Sequence, residues 1–313
     1  MPTPSEQVRG TQESEIKARQ RSVFANYSSP TSPGPPESEV TAEASQGFRP
    51  DPTPSIDRLP SALNLAIARS FLYRFLAKAY EYPDPDGWAW IGRTDVQAAF
   101  LSAILVLNDS SESLAQTGSA FLEYLTGDHF GSFSSEYIAA FSHAARGSCP
   151  LNEIEYGDLK ADPLFQPHRL ADLTAFYQAF GLEIAGDAGE RQDHICLELE
   201  FMSVLSAKEA FAVEHQLGDE ELSVCRQTQK EFLREHLGRW TPAFARRLAS
   251  AVGQGALRTL AEFTREFVAA DCRALGIRAG SEELLLRPVD EAGEGLCTSC
   301  GIKNLPPGAT VAT

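Results

Sequence analysis

From Leu63 onward the apolar residues recur with the period of a helix and hardly ever with that of a strand. Leu65, Leu72, Leu76 and Ala79 fall at steps of seven, four and three, and Ile67, Phe71 and Phe75 form a second row beside them. That is a wide apolar face on a helix of about five turns, which must pack against other helices to leave water. Tyr82-Pro83-Asp84-Pro85-Asp86-Gly87 ends it. Further helical stretches are expected at 88–107, 113–126, 134–146, 169–182, 193–217, 219–238, 241–254 and 256–275. No sustained run of alternating β-branched residues and no repeat of fixed period occurs. The expected fold class is therefore all-α, a bundle of about nine helices.

The ends read differently. Residues 1–58 hold nine of the 19 prolines and nine serines. Their few large apolar residues show no sustained period, so they bury too little surface to offset the entropy of ordering. A disordered Pro/Ser-rich tail is expected there; the other reading is a partner-binding arm around Ile16–Tyr27. The helical domain spans 59–280. Inside it, Pro150, Gly157, Pro163 and Pro167 prevent one continuous helix over 147–167. That segment is expected to be a hinge joining two loosely divided helical halves, or else a plain connector. Residues 281–313 are expected to be a flexible tail, with Leu284-Leu285-Leu286 as a last docked turn.

Composition narrows the function. With 27 Lys+Arg against 43 Asp+Glu, the formal charge is −16. Nucleic-acid affinity comes mainly from Lys and Arg on phosphates, so a polyanion is a poor partner. An anionic membrane surface would repel the chain. No apolar run approaches the ~18 residues of a membrane span. The six cysteines are sparse, which suits a reducing compartment. No secretory layout opens the sequence, and Arg19-Gln20-Arg21 is not a twin-arginine pair. A cytoplasmic location is expected.

The densest group of chemically capable residues is Arg191-Gln192-Asp193-His194-Ile195-Cys196-Leu197-Glu198-Leu199-Glu200-Phe201-Met202. Asp193 is suited to cap a helix, which would put His194 in its first turn and Glu198 four residues on, on the same face. His194 and Glu198 can then share a hydrogen bond. A partly exposed Asp-His turn can receive a basic or hydrogen-bonding peptide; a capped core helix with a satisfied histidine is the bland alternative. As an acid and a base the pair would suit a hydrolase. However, no Gly-x-Ser-x-Gly elbow, Walker loop, GxGxxG or His-Glu-x-x-His accompanies it, so no catalysis is expected. Cys297-Thr298-Ser299-Cys300 is a true C-x-x-C, but a structural zinc needs four ligands and no second pair exists. No metal and no cofactor are expected; if a metal bound, Cys297 and Cys300 would be its candidates. A small metal- or redox-handling protein is the alternative function.

Four stretches, in order, resemble one family. "RSFLYRFLAKAYEYPD" (69–84) is similar to the opening helix of the TorD/DmsD/NarJ family, all-helical chaperones dedicated to molybdenum oxidoreductases. "CPLNEIEYG" (149–157) resembles its central motif, "FYQAFGLE" (176–183) the helix end that follows, and "RQDHICLELEFMSVLSAKEA" (191–210) its Asp-His signature. The resemblance covers about residues 60–275. The ExEYG variant is similar to members serving the type II branch of the dimethyl sulfoxide reductase family. Gln192 stands where many members have proline, and Asn152 where an aromatic is frequent.

The resemblance implies a TorD-like bundle and a non-catalytic cytoplasmic chaperone. It would bind the apo catalytic subunit of an exported molybdenum oxidoreductase at its N-terminal leader, and assist cofactor insertion and assembly before export. It also implies that Asp193 and His194, with Tyr156 and Glu198, are peptide-binding residues. A cationic-then-apolar leader of the twin-arginine kind complements an acidic surface with an apolar groove. Neither nucleic acid nor stable membrane insertion is expected. Helical halves of this kind can swap between chains, so a homodimer is an option.

Overall fold

The computed structural model describes residues 61–107, 112–125, 129–141, 148–157, 165–185 and 189–287. Among them are ten α-helices and no strand. The helices are α1 (Ala62–Tyr80), α2 (Pro85–Ile91), α3 (Thr94–Leu107), α4 (Glu112–Glu123) and α5 (Phe130–Phe141). A single 3-10 turn, Glu153–Glu155, precedes α6 (Phe165–Ala179), α7 (Ile195–Glu214), α8 (Asp219–Glu235), α9 (Leu237–Ala251) and α10 (Ala256–Ala274). The all-α expectation is met. The 88–107 stretch is two helices instead of one, bent by 54° at the break between Ile91 and Thr94, where Gly92 is the C-cap of α2. No single described helix is long and apolar enough to cross a membrane.

Local chemistry explains the boundaries. Ser61 opens α1, its hydroxyl accepting from the Asn64 N–H at 3.2 Å. Asp84 caps α2 in the same way for Asp86 and Gly87, and Pro85 follows at the first helical position. Pro167 lies within the first turn of α6, where the missing N–H has no intrahelical partner to lose. Pro242 lies inside α9, and the Gly238 carbonyl it leaves without its intrahelical donor accepts from the Gly280 N–H at 2.8 Å.

The helices of the two parts of the chain interleave around one core instead of standing as two loosely divided halves. α1 packs along α7, and α10 packs against both α4 and α9. Leu72, Tyr73, Phe75, Leu76 and Tyr80 of α1 share that core with Leu197, Phe201 and Leu205 of α7 and with Trp240, Phe244 and Phe267 beyond. α7 is buried on nearly every side, as a helix hydrophobic all round must be.

A buried ion network locks four helices together. Arg69 of α1 holds Asp271 of α10 through two bonds of 2.5 and 2.9 Å, and reaches Glu209 of α7 at 3.3 Å. Glu209 also accepts from Arg226 and Gln229 of α8.

Candidate functional site

The site forms where the central segment 149–157 meets the start of α7. His194 is the N-cap of that helix: its Nδ1 accepts from the Cys196 N–H at 3.3 Å. The expectation that Asp193 caps the helix is corrected. Asp193 is fully buried, and its carboxylate is drawn to donors from the central segment. It accepts from Asn152 Nδ2 at 3.2 Å, the Ile154 N–H at 3.0 Å, and Arg191 Nε and Nη2 at 2.5 and 3.0 Å. Backbone pairing continues the join. Glu153 N–H donates to the Asp193 carbonyl and Ile195 N–H to that of Leu151, each at 2.9 Å.

On its other side the central segment pairs with residues 285–287. Gly157 N–H donates to the Leu285 carbonyl and Arg287 N–H to that of Glu155, each at 2.8 Å. Gly157 has φ +135°, a conformation that favours glycine. Just before this pairing, Gly280 donates to the Gly238 carbonyl at 2.8 Å. A Cβ on Gly280 would sit on the Arg239 carbonyl, so only glycine allows the chain to cross α9 there.

Glu153, fully buried, is the electrostatic centre of the segment. Its carboxylate receives Arg169 Nη2 at 2.9 Å from α6 and Arg239 Nη2 at 3.0 Å from α9, and faces His236 Nδ1 at 2.9 Å from the α8–α9 junction. Burial raises the pKa of this carboxyl, but the hydrogen bond and charge of His236, with Arg169 and Arg239, outweigh it and hold the group below its ordinary value. The other ring nitrogen of His236 faces Asp172 at 3.1 Å. Arg169 also donates to the Glu235 carbonyl at the end of α8.

Tyr156 and Glu198 meet over Trp240. The Tyr156 ring lies 5.1 Å from the indole, and its hydroxyl donates to the Pro150 carbonyl at 2.8 Å. Trp240 Nε1 donates to Glu198 Oε2 at 3.0 Å, while Oε1 has no hydrogen-bond partner. Burial first, then the charge of Glu153, pushes the Glu198 carboxyl well above its ordinary range.

The four residues singled out from sequence thus converge, with Asp193, Tyr156 and Glu198 fully buried and His194 5 % exposed. They are not the partly exposed turn expected, because the central segment covers them. His194 and Glu198 do not pair. The imidazole's Nε2 faces Glu190 at 3.5 Å and Glu198 turns inward to Trp240. Burial lowers the His194 pKa, against the opposing charges of Glu190 and Asp193.

Sequence reasoning missed Glu153, Arg169, His236, Arg239 and Trp240, and gave Arg191 no role. A signal existed for Glu153, which sits inside the quoted central motif between Asn152 and Ile154. None existed for His236, which a continuous apolar pattern carried through. Among the described residues no group of three or more His, Cys, Asp or Glu could hold a metal. The 1–58 tail, Cys297 and Cys300 lie outside the described residues.

A family model described as "Nitrate reductase delta subunit" matches residues 108–246. The chain is 34% identical over 114 residues to the selenate reductase assembly chaperone protein of Thauera selenatis, covering 36% of this chain and 56% of that one. It is 25% identical over 208 residues to the perchlorate reductase assembly chaperone protein of Dechloromonas aromatica, covering 66% and 89%. It is 33% identical over 178 residues to the dimethyl sulfide dehydrogenase assembly chaperone protein of Rhodovulum sulfidophilum, covering 55% and 66%. The match to the selenate reductase chaperone therefore spans little more than half of that protein.

Proposed function

Because the chain belongs to the nitrate reductase delta subunit family, of the NarJ/TorD type, we propose that it is a non-catalytic assembly chaperone. Its client is the catalytic subunit of an exported molybdenum oxidoreductase of the dimethyl sulfoxide reductase family. It binds that subunit in the cytoplasm, before the cofactor is loaded, at or near the N-terminal leader. Holding only the immature form stabilises that form by mass action and delays export until maturation is complete.

The observation that carries this reading is the extent of the family match. Residues 108–246 contain both segments that build the buried frame, 149–157 and 191–202. The relatives named as assembly chaperones for selenate reductase, perchlorate reductase and dimethyl sulfide dehydrogenase support a related client here. The charge of −16 favours encounter with a cationic leader. In this reading the leader binds around the Asp193–His194 turn. Glu190 stands exposed at the surface over the buried His194, while Asp193, Tyr156 and Glu198 act from beneath by fixing the central segment.

The test is affinity purification of the tagged chain from its host, with mass spectrometry and molybdenum analysis of what is retained. A molybdenum-enzyme catalytic subunit recovered mainly without cofactor is the expected result. Absence of any such subunit, in cells that make one, overturns the proposal.

A further inference from the structure

A cavity of about 520 Å³ opens where the start of the central segment, the last turns of α9 and the segment 282–285 meet. That volume falls within the range of small-molecule sites. Ser148 and Cys149 form one wall, Arg246 and Arg247 of α9 another, and Glu283 and Leu285 the third. None of the side chains that build the buried frame lines it.

Arg247 is the group without a counterpart there. Every other buried or half-buried arginine among the described residues holds a carboxylate, from Arg69 on Asp271 to Arg287 on Glu155. Arg247 is half-buried and holds none. The acids of the cavity face other cations: Glu283 meets Arg246 at 3.0 Å, and Glu282 lies 3.8 Å from Arg265. The neighbouring thiol supplies no counter-charge either. Burial raises the Cys149 pKa, and the Ser148 hydroxyl and the Arg247 charge only oppose that rise in part. In a chain of net charge −16, one guanidinium is therefore left with its charge to be met from outside.

We propose that this cavity binds a single carboxylate carried on a short apolar body, with Arg247 as its principal donor and the Ser148 hydroxyl as a second. The planar fork of an arginine matches a carboxylate through two parallel bonds. Two features select one negative charge over two. The cavity lies at the C-terminal end of α9, the negative end of that helix's dipole, and Glu282 and Glu283 stand in its wall. Both repel a doubly charged phosphate more than a carboxylate. Leu285, 63 % exposed, gives the body of the ligand apolar surface to cover. The carboxylate belongs to a free organic acid or to an acidic side chain of a bound polypeptide, and the recognition chemistry is the same for both. This site goes beyond the chaperone reading and does not depend on it.

The experiment titrates the full chain calorimetrically with four probes: glutarate, the blocked peptide acetyl-Ala-Leu-Glu-Ala-amide, its Gln counterpart, and inorganic phosphate. At least one carboxylate probe is expected to bind saturably, about tenfold more tightly than the Gln peptide and more tightly than phosphate, the range of a hydrogen-bonded charge. Tighter binding of glutarate assigns the site to a free acid, and tighter binding of the Glu peptide assigns it to a polypeptide. Arg247→Gln should weaken the bound probe by about tenfold. Arg247→Lys keeps the charge but loses the fork, and should weaken it by about threefold. Because Arg247 holds no carboxylate of its own, both variants should melt with the parent in the absence of probe. Arg74→Gln, at an exposed arginine of α1, is the control. Failure of both carboxylate probes to bind, tighter binding of phosphate, parent affinity in Arg247→Gln, or an equal loss in Arg74→Gln overturns the proposal.

Discussion

Oε2 of Glu153 lies 2.9 Å from Nδ1 of His236, although 83 residues separate them and both side chains are buried. This contact fastens the central segment to the α8–α9 junction, and Arg239 and Arg169 close around the same carboxylate. Removing the charge leaves two half-buried arginines without their partner. Glu153→Gln should cost about 3–5 kcal/mol of unfolding free energy, read by urea denaturation. In a double-mutant cycle with His236→Ala the coupling should be about 1–3 kcal/mol; strictly additive losses would show that the contact carries no energy.

Glu198 gives a prediction of opposite sign. Its carboxyl pKa is raised in the folded state, so folding is unpenalised below the ordinary value of 4.5 and loses stability as pH rises above it. Glu198→Gln keeps an acceptor for the Trp240 N–H and cannot ionise. Its stability relative to the parent should therefore improve steadily from pH 4.5 upward. Glu198→Ala leaves a cavity and an orphaned indole N–H and should lose about 2–4 kcal/mol. A Gln variant that is less stable than the parent at pH 8 would rule this out.

His194 titrates the other way in its consequences. Its folded pKa is lowered from 6.5, so the contribution of the neutral imidazole is whole above pH 6.5 and is lost as pH falls below it. Protonation also removes the Nδ1 lone pair that caps α7. His194→Asn, which can cap without titrating, should flatten the stability profile between pH 7 and 5. His194→Ala should lose about 1 kcal/mol throughout. Thermal melts across that range decide between them.

The pairing of 155–157 with 285–287 separates two truncations. Ending the chain after Arg287 leaves every one of those bonds in place and removes Cys297 and Cys300. Its melting temperature and client retention should equal those of the full chain. Ending after Glu283 removes the two backbone bonds at 2.8 Å and the Arg287–Glu155 ion pair, and should lower the melting temperature by several degrees. Loss of client retention in the chain ending after Arg287 would instead give the C-x-x-C a role.

Much of the fold was legible because a helix writes its buried face into local spacing. The Leu65–Ala79 rows, the break at Tyr82–Gly87 and the stretch beginning at Asp219 are each set by residues within a few turns of one another. Asp193, His194 and Glu198 were also marked by sequence as one constellation, and Tyr156 by the family resemblance of the central motif. Their partners were not, since those lie tens of residues away: Asn152 for Asp193, Trp240 for Glu198, Pro150 and Trp240 for Tyr156. The capping assignment failed for the same reason. A carboxylate before a helix caps it unless better donors arrive from elsewhere, and the N–H of Ile154 and the guanidinium of Arg191 are such donors.

The sequence by itself determined the class of fold, the order of the helices and the family, because periodicity, turn residues and motifs are properties of neighbours along the chain. Tertiary structure alone decided which groups are charged, buried or reachable. Glu153, Glu198 and Glu190 are the same kind of residue in the sequence, yet one anchors two arginines and a histidine, one is held toward its neutral form and one faces water beside His194. Desolvation and the charges brought across the fold set those states, and both depend on distances in space that spacing along the chain does not record.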